Sequence, residues 1–126
     1  MFSDIKNITY IDLSSLDTKE VENMSNMFKN CTNLAMIKFS DFETTKVNNM
    51  EYMFFNCIKL NSLNLTSFNT SNVVNMDGMF CNCSNLSDIE FGPKFNSKNA
   101  TINYIFTKCN KRMGLRFNGE SDDKLL

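Results

Sequence analysis

Apolar residues recur along this chain at a spacing of 26 positions. From Val21 to Cys31 they fall at steps of three, three, one and three residues, which is the spacing of one helical face. Ile37 and Phe39 then alternate with Met36, Lys38 and Ser40, which is the periodicity of a strand. The positions of the first full unit that recur in the next two units are Val21, Met24, Met27, Phe28, Cys31, Leu34, Ile37 and Phe39.

Stacking of successive units accounts for this repetition, because one short unit cannot bury both of its apolar faces alone. The pattern predicts an α/β repeat fold, a solenoid with about five short parallel strands on one face and short helices on the other. We expect a partial unit at 1–20, units at 21–46, 47–72, 73–98 and 99–117, and a polar C-terminal tail or cap at 118–126. The predicted strands are Tyr10–Leu13, Met36–Phe39, Ser62–Leu65, Asp88–Phe91 and Gly114–Phe117.

The repeated motif also resembles that of a known family. It reads V-x-x-M-x-x-M-F-x-x-C-x-x-L-x-x-[IL]-x-[LF] and is clearest in VNNMEYMFFNCIKLNSLNLTSFNTSNVVNMDGMFCNCSNL. It is similar to the BspA-like leucine-rich repeats of bacterial surface proteins, above all to the variant in Listeria lipoproteins and in mycoplasma proteins of unknown function. The resemblance covers residues 1–117 and is clearest from 21 to 91. It implies a curved, right-handed leucine-rich-repeat solenoid that binds host or matrix proteins at cell surfaces, without catalytic residues or cofactor.

Two segments depart from the family pattern. Asn99 stands where the other units have Val, and Gly92 and Pro93 follow the fourth strand and shift the next Phe to Phe95. The tail from Asn118 to Leu126 is polar and acidic and lacks the expected Phe. We therefore expect this end of the chain to act as a cap.

Composition and charge exclude several classes of function. Lys and Arg are interspersed with Asp and Glu, and the formal net charge is −1, so no nucleic-acid partner is expected. No apolar run is long enough to span a bilayer, so this segment is not expected to insert into a membrane. The chain has no His and no Ser-His-Asp set, phosphate-binding loop or HExxH motif. The sequence thus predicts no enzyme and no catalytic, cofactor-binding or metal-binding residues.

The N-terminal segment MFSDIKNITYIDL has Asp and Lys where a signal peptide has an apolar core. We therefore expect either an intracellular protein or a fragment of a longer one. The expected location is the cell surface or the secreted fraction if a longer parent protein is exported, and the cytoplasm otherwise.

Four of the five cysteines share one repeat position: Cys31, Cys57, Cys83 and Cys109. They are expected to form a ladder of small buried side chains. Disulfides between neighbouring rungs are conceivable from their distance, but parallel side chains do not converge, and a straight ladder is a poor tetrahedral zinc site. Cys81 lies outside the ladder and is expected to be exposed. It is either a reactive thiol or a neutral surface substitution.

Met and Asn recur with the same period. The Met-Phe pairs at 27–28, 53–54 and 79–80 are predicted to fill the core rather than to line a binding groove. Asn at 23, 49 and 75, and at 30, 56 and 82, is predicted to satisfy backbone groups in the loops between coils. The alternative role is glycan attachment, which applies only in a glycosylating compartment. Sequons begin at Asn7, Asn23, Asn30, Asn64, Asn69, Asn82, Asn85 and Asn99.

The outward-facing residues of the predicted strands form the candidate binding site. The residues predicted to contact a protein partner are Tyr10, Asp12, Met36, Lys38, Asn64, Asp88, Glu90 and Arg116. Tyr10 and Met36 are the predicted anchors, because aromatic and Met side chains are enriched in interfaces. The alternative is a solvated sheet face that binds nothing, with which the mixed charge is compatible.

The predicted function is therefore a non-enzymatic protein-binding or adhesion module of a bacterial or protozoan surface-type repeat protein. Its partner would be a host protein, a matrix protein or a second copy. The alternative is a structural or self-assembling segment that associates end to end, because the first coil offers an edge without an obvious polar cap.

Overall fold

The chain folds into stacked coils, each of which advances the sequence by 26 residues. The computed structural model describes all residues from 1 to 126. One short strand lies in each coil: β1 (Tyr10–Asp12), β2 (Met36–Lys38), β3 (Ser62–Leu65), β4 (Asp88–Phe91) and β5 (Gly114–Phe117). All five predicted strands are present, and their bounds agree with the prediction to within one residue.

Parallel pairing divides the strands between two sheets. β1 pairs with β2, while β3, β4 and β5 form a second sheet in that order. Ile11 lies opposite Ile37, and Ile89 lies opposite Leu115, so the register is one full repeat. A further row of parallel bridges connects Asn23, Asn49, Asn75 and Thr101. Residues one repeat apart therefore lie over one another in successive coils, as their spacing predicted.

The predicted α/β class is wrong, because the structure contains no helix. Within the segment from Val21 to Cys31, Asn23 forms a parallel β-bridge and residues 25–30 form turns. The N–H of Met27 donates to the carbonyl of Met24 at 3.3 Å, whereas the N–H of Phe28 donates to the carbonyl of Met53 in the next coil at 2.8 Å. An α-helix would direct these bonds four residues back along its own chain. Turns joined by bonds between coils therefore replace the short helices predicted away from the strands.

Residues with left-handed backbone conformation explain why no helix forms. Asn26 and Asn30 have φ angles of 60° and 62°. An α-helix needs φ near about −63° in every residue. The equivalent residues of the later coils also have positive φ, namely Tyr52, Asn56, Gly78, Asn82, Tyr104 and Lys108. Two such residues in each coil interrupt the helix while keeping the apolar side chains three or four positions apart.

The interior is one apolar core built from repeated ladders, with 30 buried residues in a single cluster. Neighbouring rings of the main phenylalanine ladder are stacked with centroids 5.5 to 5.7 Å apart, in the order Phe2, Phe28, Phe54, Phe80 and Phe106. The methionines buried beside them are Met24, Met27, Met50, Met53, Met76 and Met79. This confirms the predicted core role of the Met-Phe pairs, in which Met fills the gaps between rings.

A row of buried hydroxyl groups links successive coils at a different position. The Thr44 hydroxyl donates to the carbonyl of Asn69 at 2.8 Å and accepts the N–H of the same residue at 2.8 Å. The row ends at Ser97, whose buried hydroxyl has no hydrogen-bond partner and whose N–H donates to the carboxylate of Asp122 at 2.6 Å. Leu125, which follows Asp122 in the polar tail, is also buried, so part of this tail packs on the coils.

Candidate functional site

The predicted binding residues lie on the outward face of the five strands. Met36 and Lys38 are exposed on either side of buried Ile37, because side chains alternate along a strand. Strand pairing places Tyr10 beside Met36 and Asp12 beside Lys38. The same alternation turns Asn64 outward from β3, and Asp88, Glu90 and Arg116 outward from β4 and β5. The structure thus brings the eight residues onto one face, which has two different ends.

This strand face is interrupted between β2 and β3, which share no ladder. Before these strands the Asn61 N–H donates to the carbonyl of Ala35 at 3.4 Å, compared with 2.9 Å for the equivalent bond from Ser87 to Asn61. After them, the hydroxyl of Ser67 donates to the carbonyl of Phe39 at 3.2 Å. A long backbone hydrogen bond and a side-chain hydrogen bond therefore replace regular strand pairing between β2 and β3.

A groove of about 520 Å³ opens over this break. Tyr10 and Met36, which are 51% and 56% exposed, line the groove together with Lys38 and Asn64. Its volume lies within the range of about 300–1,000 Å³ that is typical of ligand pockets. The structure therefore brings four of the eight predicted residues into one concave surface, the strand-face groove.

Sequence reasoning missed part of the groove lining. Asp41, Thr66 and Ser67 also line the groove, although they follow the ends of β2 and β3. Strand alternation does not apply beyond a strand end, so it could not place them. The positive φ of Asp41, 56°, marks the turn that follows β2, and no residue type in that segment signals it as clearly as Gly would.

An ion-pair network occupies the other end of the strand face. Arg116 donates from Nε and Nη2 to the two carboxylate oxygens of Asp88, at 2.8 and 2.7 Å. Glu90 lies 3.6 Å from the same guanidinium and accepts a hydrogen bond of 2.8 Å from Asn118. The hydrogen bond from Arg116 lowers the pKa of the Asp88 carboxyl below its usual value. The charged groups of these predicted residues therefore pair with one another, and in the groove the side-chain oxygen of Asn64 accepts the N–H and hydroxyl of Thr66 at 3.0 and 2.6 Å.

Asp12 and Lys38 form only a loose pair beside the groove. Their charged atoms are 4.0 Å apart and both side chains are largely exposed, so the pair contributes little to stability. Asp12 accepts hydrogen bonds from the hydroxyl and N–H of Ser14 at 2.6 and 2.9 Å, which lower the pKa of its carboxyl. The Lys38 ammonium is therefore free to pair with another group.

The ladder thiols are core groups. Cys57 donates from Sγ to the carbonyl of Phe28 at 3.1 Å, and each of the other three donates in the same way to a carbonyl 29 residues earlier. All five cysteines are free. The predicted burial is confirmed for Cys31, Cys57 and Cys83, while Cys109 is partly buried. Burial raises the pKa of Cys57 to about 12, which suppresses the reactive thiolate.

Cys81 is partly buried rather than exposed. Burial raises the pKa of its thiol, and the nearby charge of Lys108 only partly opposes this effect. A thiol with a raised pKa carries little thiolate at neutral pH. The structure therefore favours a neutral substitution over an activated thiol.

The two rows of asparagine have different roles. Asn23, Asn49 and Asn75 each accept the N–H two residues ahead, which confirms the predicted satisfaction of loop backbone groups. The same prediction is wrong for Asn30, Asn56 and Asn82, whose amides hydrogen-bond to a side chain of the preceding coil. This second row forms an amide ladder that ends at Asp4.

No group of three or more His, Cys, Asp or Glu side chains is arranged to hold a metal ion. No helix is long and apolar enough to cross a membrane.

Comparison with known proteins places this repeat in a family. No curated protein and no solved structure matches the chain. A family model described as "Mycoplasma protein of unknown function, DUF285" matches residues 1–115, which include all but the last part of β5 and the tail. Because the match covers most of the chain, the protein belongs to the DUF285 family of proteins of unknown function.

Proposed function

We propose that the chain is a non-enzymatic protein-binding module that captures its partner in the strand-face groove. The observation that carries this proposal is the 520 Å³ groove at the sheet break, in which Tyr10 and Met36 are both more than half exposed. Two large apolar side chains lie side by side in a concave surface, which is an arrangement that a partner can cover.

Covering Tyr10 and Met36 would provide most of the binding free energy. Apolar surface contributes about 25 cal/mol per Å² when it is removed from water. Aromatic and Met side chains are enriched at the centres of protein interfaces. The polar lining, with Lys38, Asn64 and Thr66, would then orient the partner through hydrogen bonds and charge.

The remaining part of the strand face is proposed to be secondary. Arg116 is already engaged by Asp88 and Glu90, so a partner gains little by pairing with any of them. The resemblance of the repeat motif to BspA-like repeats supports a role in adhesion to host or matrix proteins. The groove is therefore proposed to contribute more to partner binding than the ion-pair network.

The proposal is tested by interferometry with the immobilised chain and a panel of purified extracellular-matrix proteins. A partner should bind the wild-type chain, and the double variant Tyr10→Ala/Met36→Ala should bind it at least about tenfold more weakly, as expected when interface anchors are removed. Val74→Ala is the matched control, because Val74 is 58% exposed but does not line the groove. An absence of binding across the panel, or an equal loss in the control, would contradict the proposal.

A further inference from the structure

A second concave surface lies among the turns that precede the strands. It has a volume of about 230 Å³, and its lining residues are Tyr52, Phe55, Cys81, Asn82, Tyr104, Thr107 and Lys108. These residues come from three successive coils, and none of them lines the strand-face groove. We call this surface the aromatic slot.

Small residues in the middle coil create the slot. Gly78 stands at the repeat position that Tyr52 and Tyr104 occupy in the coils before and after it. A Cβ atom on Gly78 would overlap the ring of Tyr52, so this ring lies across the backbone of the middle coil. Cys81 stands where the preceding coil has Phe55. The middle coil thus contributes small groups, between coils that contribute aromatic rings.

The ring pair of the preceding coil is held in place. Tyr52 and Phe55 meet edge to face, with centroids 5.3 Å apart and ring planes at 76°. The Lys29 ammonium lies 5.7 Å from the Tyr52 ring and 5.6 Å from the Phe55 ring, within the range of a cation–π contact. Tyr104, which is 71% exposed, supplies an aromatic group on the other side. Aromatic walls of this kind suit a ligand with a ring shape.

The side-chain oxygen of Asn82 lacks the donor that the equivalent oxygens of the amide ladder have. Its Nδ2 donates back to Asn56 at 2.6 Å. In the earlier coils the Oδ1 atom accepts from the Asn of the following coil, as Asn56 does from Asn82. Lys108 stands at the following position, so no amide reaches the Oδ1 of Asn82. Asn82 and Lys108 both line the slot, and none of its lining residues carries a carboxylate.

We propose that the aromatic slot binds one acidic sugar ring, of the uronic-acid class. The C–H faces of the ring pack against Tyr52 and Tyr104, a ring hydroxyl donates to Oδ1 of Asn82, and the carboxylate pairs with Lys108. A purely aromatic acid would satisfy the walls and Lys108 but would leave the Asn82 oxygen without a donor, which costs free energy in a closed contact. The volume lies below the range of about 300–1,000 Å³ of pockets for larger ligands, as expected for one ring.

The test is a titration of the isotopically labelled chain with glucuronate, followed by amide chemical shifts. We expect shifts at Asn82, Thr107 and Lys108, with a dissociation constant on the order of 1 mM, and about tenfold weaker binding of neutral glucose and of benzoate. Tyr104→Ala should weaken glucuronate binding at least about fivefold, and Lys108→Gln should reduce it to the level of glucose. Tyr10→Ala is the matched control, because this exposed tyrosine lies in the strand-face groove.

Three results would overturn the proposal: no shift with glucuronate, equal weakening in Tyr10→Ala and Tyr104→Ala, or benzoate binding as tightly as glucuronate. The strand-face groove shares no residue with the slot. The two proposals therefore fail separately, since the variants of one leave the other surface intact.

Discussion

The Nδ2 group of Asn82 donates a hydrogen bond of 2.6 Å to Oδ1 of Asn56, and both residues have left-handed backbone conformation, with φ of 61° and 62°. Asn56 in turn donates to Asn30 at 3.0 Å. Asn tolerates positive φ better than most residues with a side chain. Each rung of the amide ladder therefore shapes the turn and joins it to the coil before.

Two substitutions of Asn56 should separate these roles. Asn56→Gly keeps access to positive φ but removes both amide bonds, and should lower the free energy of unfolding by about 1–3 kcal/mol. Asn56→Ala also strains the backbone and should cost about 1–2 kcal/mol more. Urea denaturation followed by circular dichroism measures both values. Equal losses in the two variants would show that the backbone conformation contributes nothing.

Gly78 and Gly114 should respond differently to an added methyl group. Gly78 has φ +62°, and its Cβ would overlap the Tyr52 ring, so Gly78→Ala should lower stability by at least about 1–2 kcal/mol. The nearest atoms to a Cβ on Gly114 lie 3.7 and 3.9 Å away, so Gly114→Ala should stay within about 0.5 kcal/mol of wild type. Thermal unfolding measures both effects.

The contact with Tyr52 is tested by a double variant. Gly78→Ala should cost less stability in a Tyr52→Ala background than in the wild-type chain, because the overlap is gone and only the backbone strain remains. A full additive loss would mean that the Tyr52 ring does not lie over Gly78.

Thiol labelling should follow the burial of the five cysteines. With a chromogenic disulfide reagent at neutral pH, Cys81 should react first and Cys109 next, because both are partly exposed. Cys57 and Cys83 should react only as fast as the core opens, since their residues are fully buried. The control Cys81→Ser should lose the first phase alone. Labelling of Cys57 at the rate of Cys81 would contradict the buried ladder.

Stability should fall at alkaline pH because of the same ladder. Burial raises the pKa of Cys57 to about 12 in the folded chain, from 9.0 for a free thiol. Between these values the unfolded chain releases a proton that the folded chain keeps, so the free energy of unfolding decreases as pH rises. The stabilisation is complete below pH 9 and is lost progressively above it.

The contribution of Cys57 is measured by comparison with Cys57→Ser, whose hydroxyl does not titrate in this range. The slope of unfolding free energy against pH should be shallower in the variant, by at most about 1.4 kcal/mol per pH unit. Identical slopes in both proteins would show that the Cys57 thiol ionises as easily in the folded chain as in the unfolded one.

Strand positions could be predicted from the sequence because strand periodicity is local. The alternation of Ile37 and Phe39 with Met36, Lys38 and Ser40 recurs one unit later at Leu63 and Leu65, and it matches β2 and β3. The repeat spacing also predicted which residues would lie over one another, as the parallel register of Ile89 with Leu115 shows. Both inferences need only the period of the apolar residues.

The helices were predicted wrongly because periodicity reports side-chain spacing and not the direction of backbone hydrogen bonds. A helix and a series of turns both place apolar side chains three or four residues apart. The choice between them depended on the neighbouring coil, whose carbonyl groups accept N–H donors such as that of Phe28. Asn30 was a local signal for positive φ, but its amide was expected to satisfy loop backbone groups, whereas it bonds to the side chains of Asp4 and Asn56.

The repeat length, the strand positions and the ladders of Met, Phe and Cys follow from the order of residues, because stacking coils of equal length brings equal positions together. The sheet break beneath Tyr10 and Met36 and the slot beside Gly78 arise only in the folded chain. Each depends on how one coil meets the next: a ladder missing between β2 and β3 in one case, and a Tyr52 ring lying across the next coil in the other. Contacts between coils are long-range in sequence, and no local pattern of polar and apolar residues specifies them.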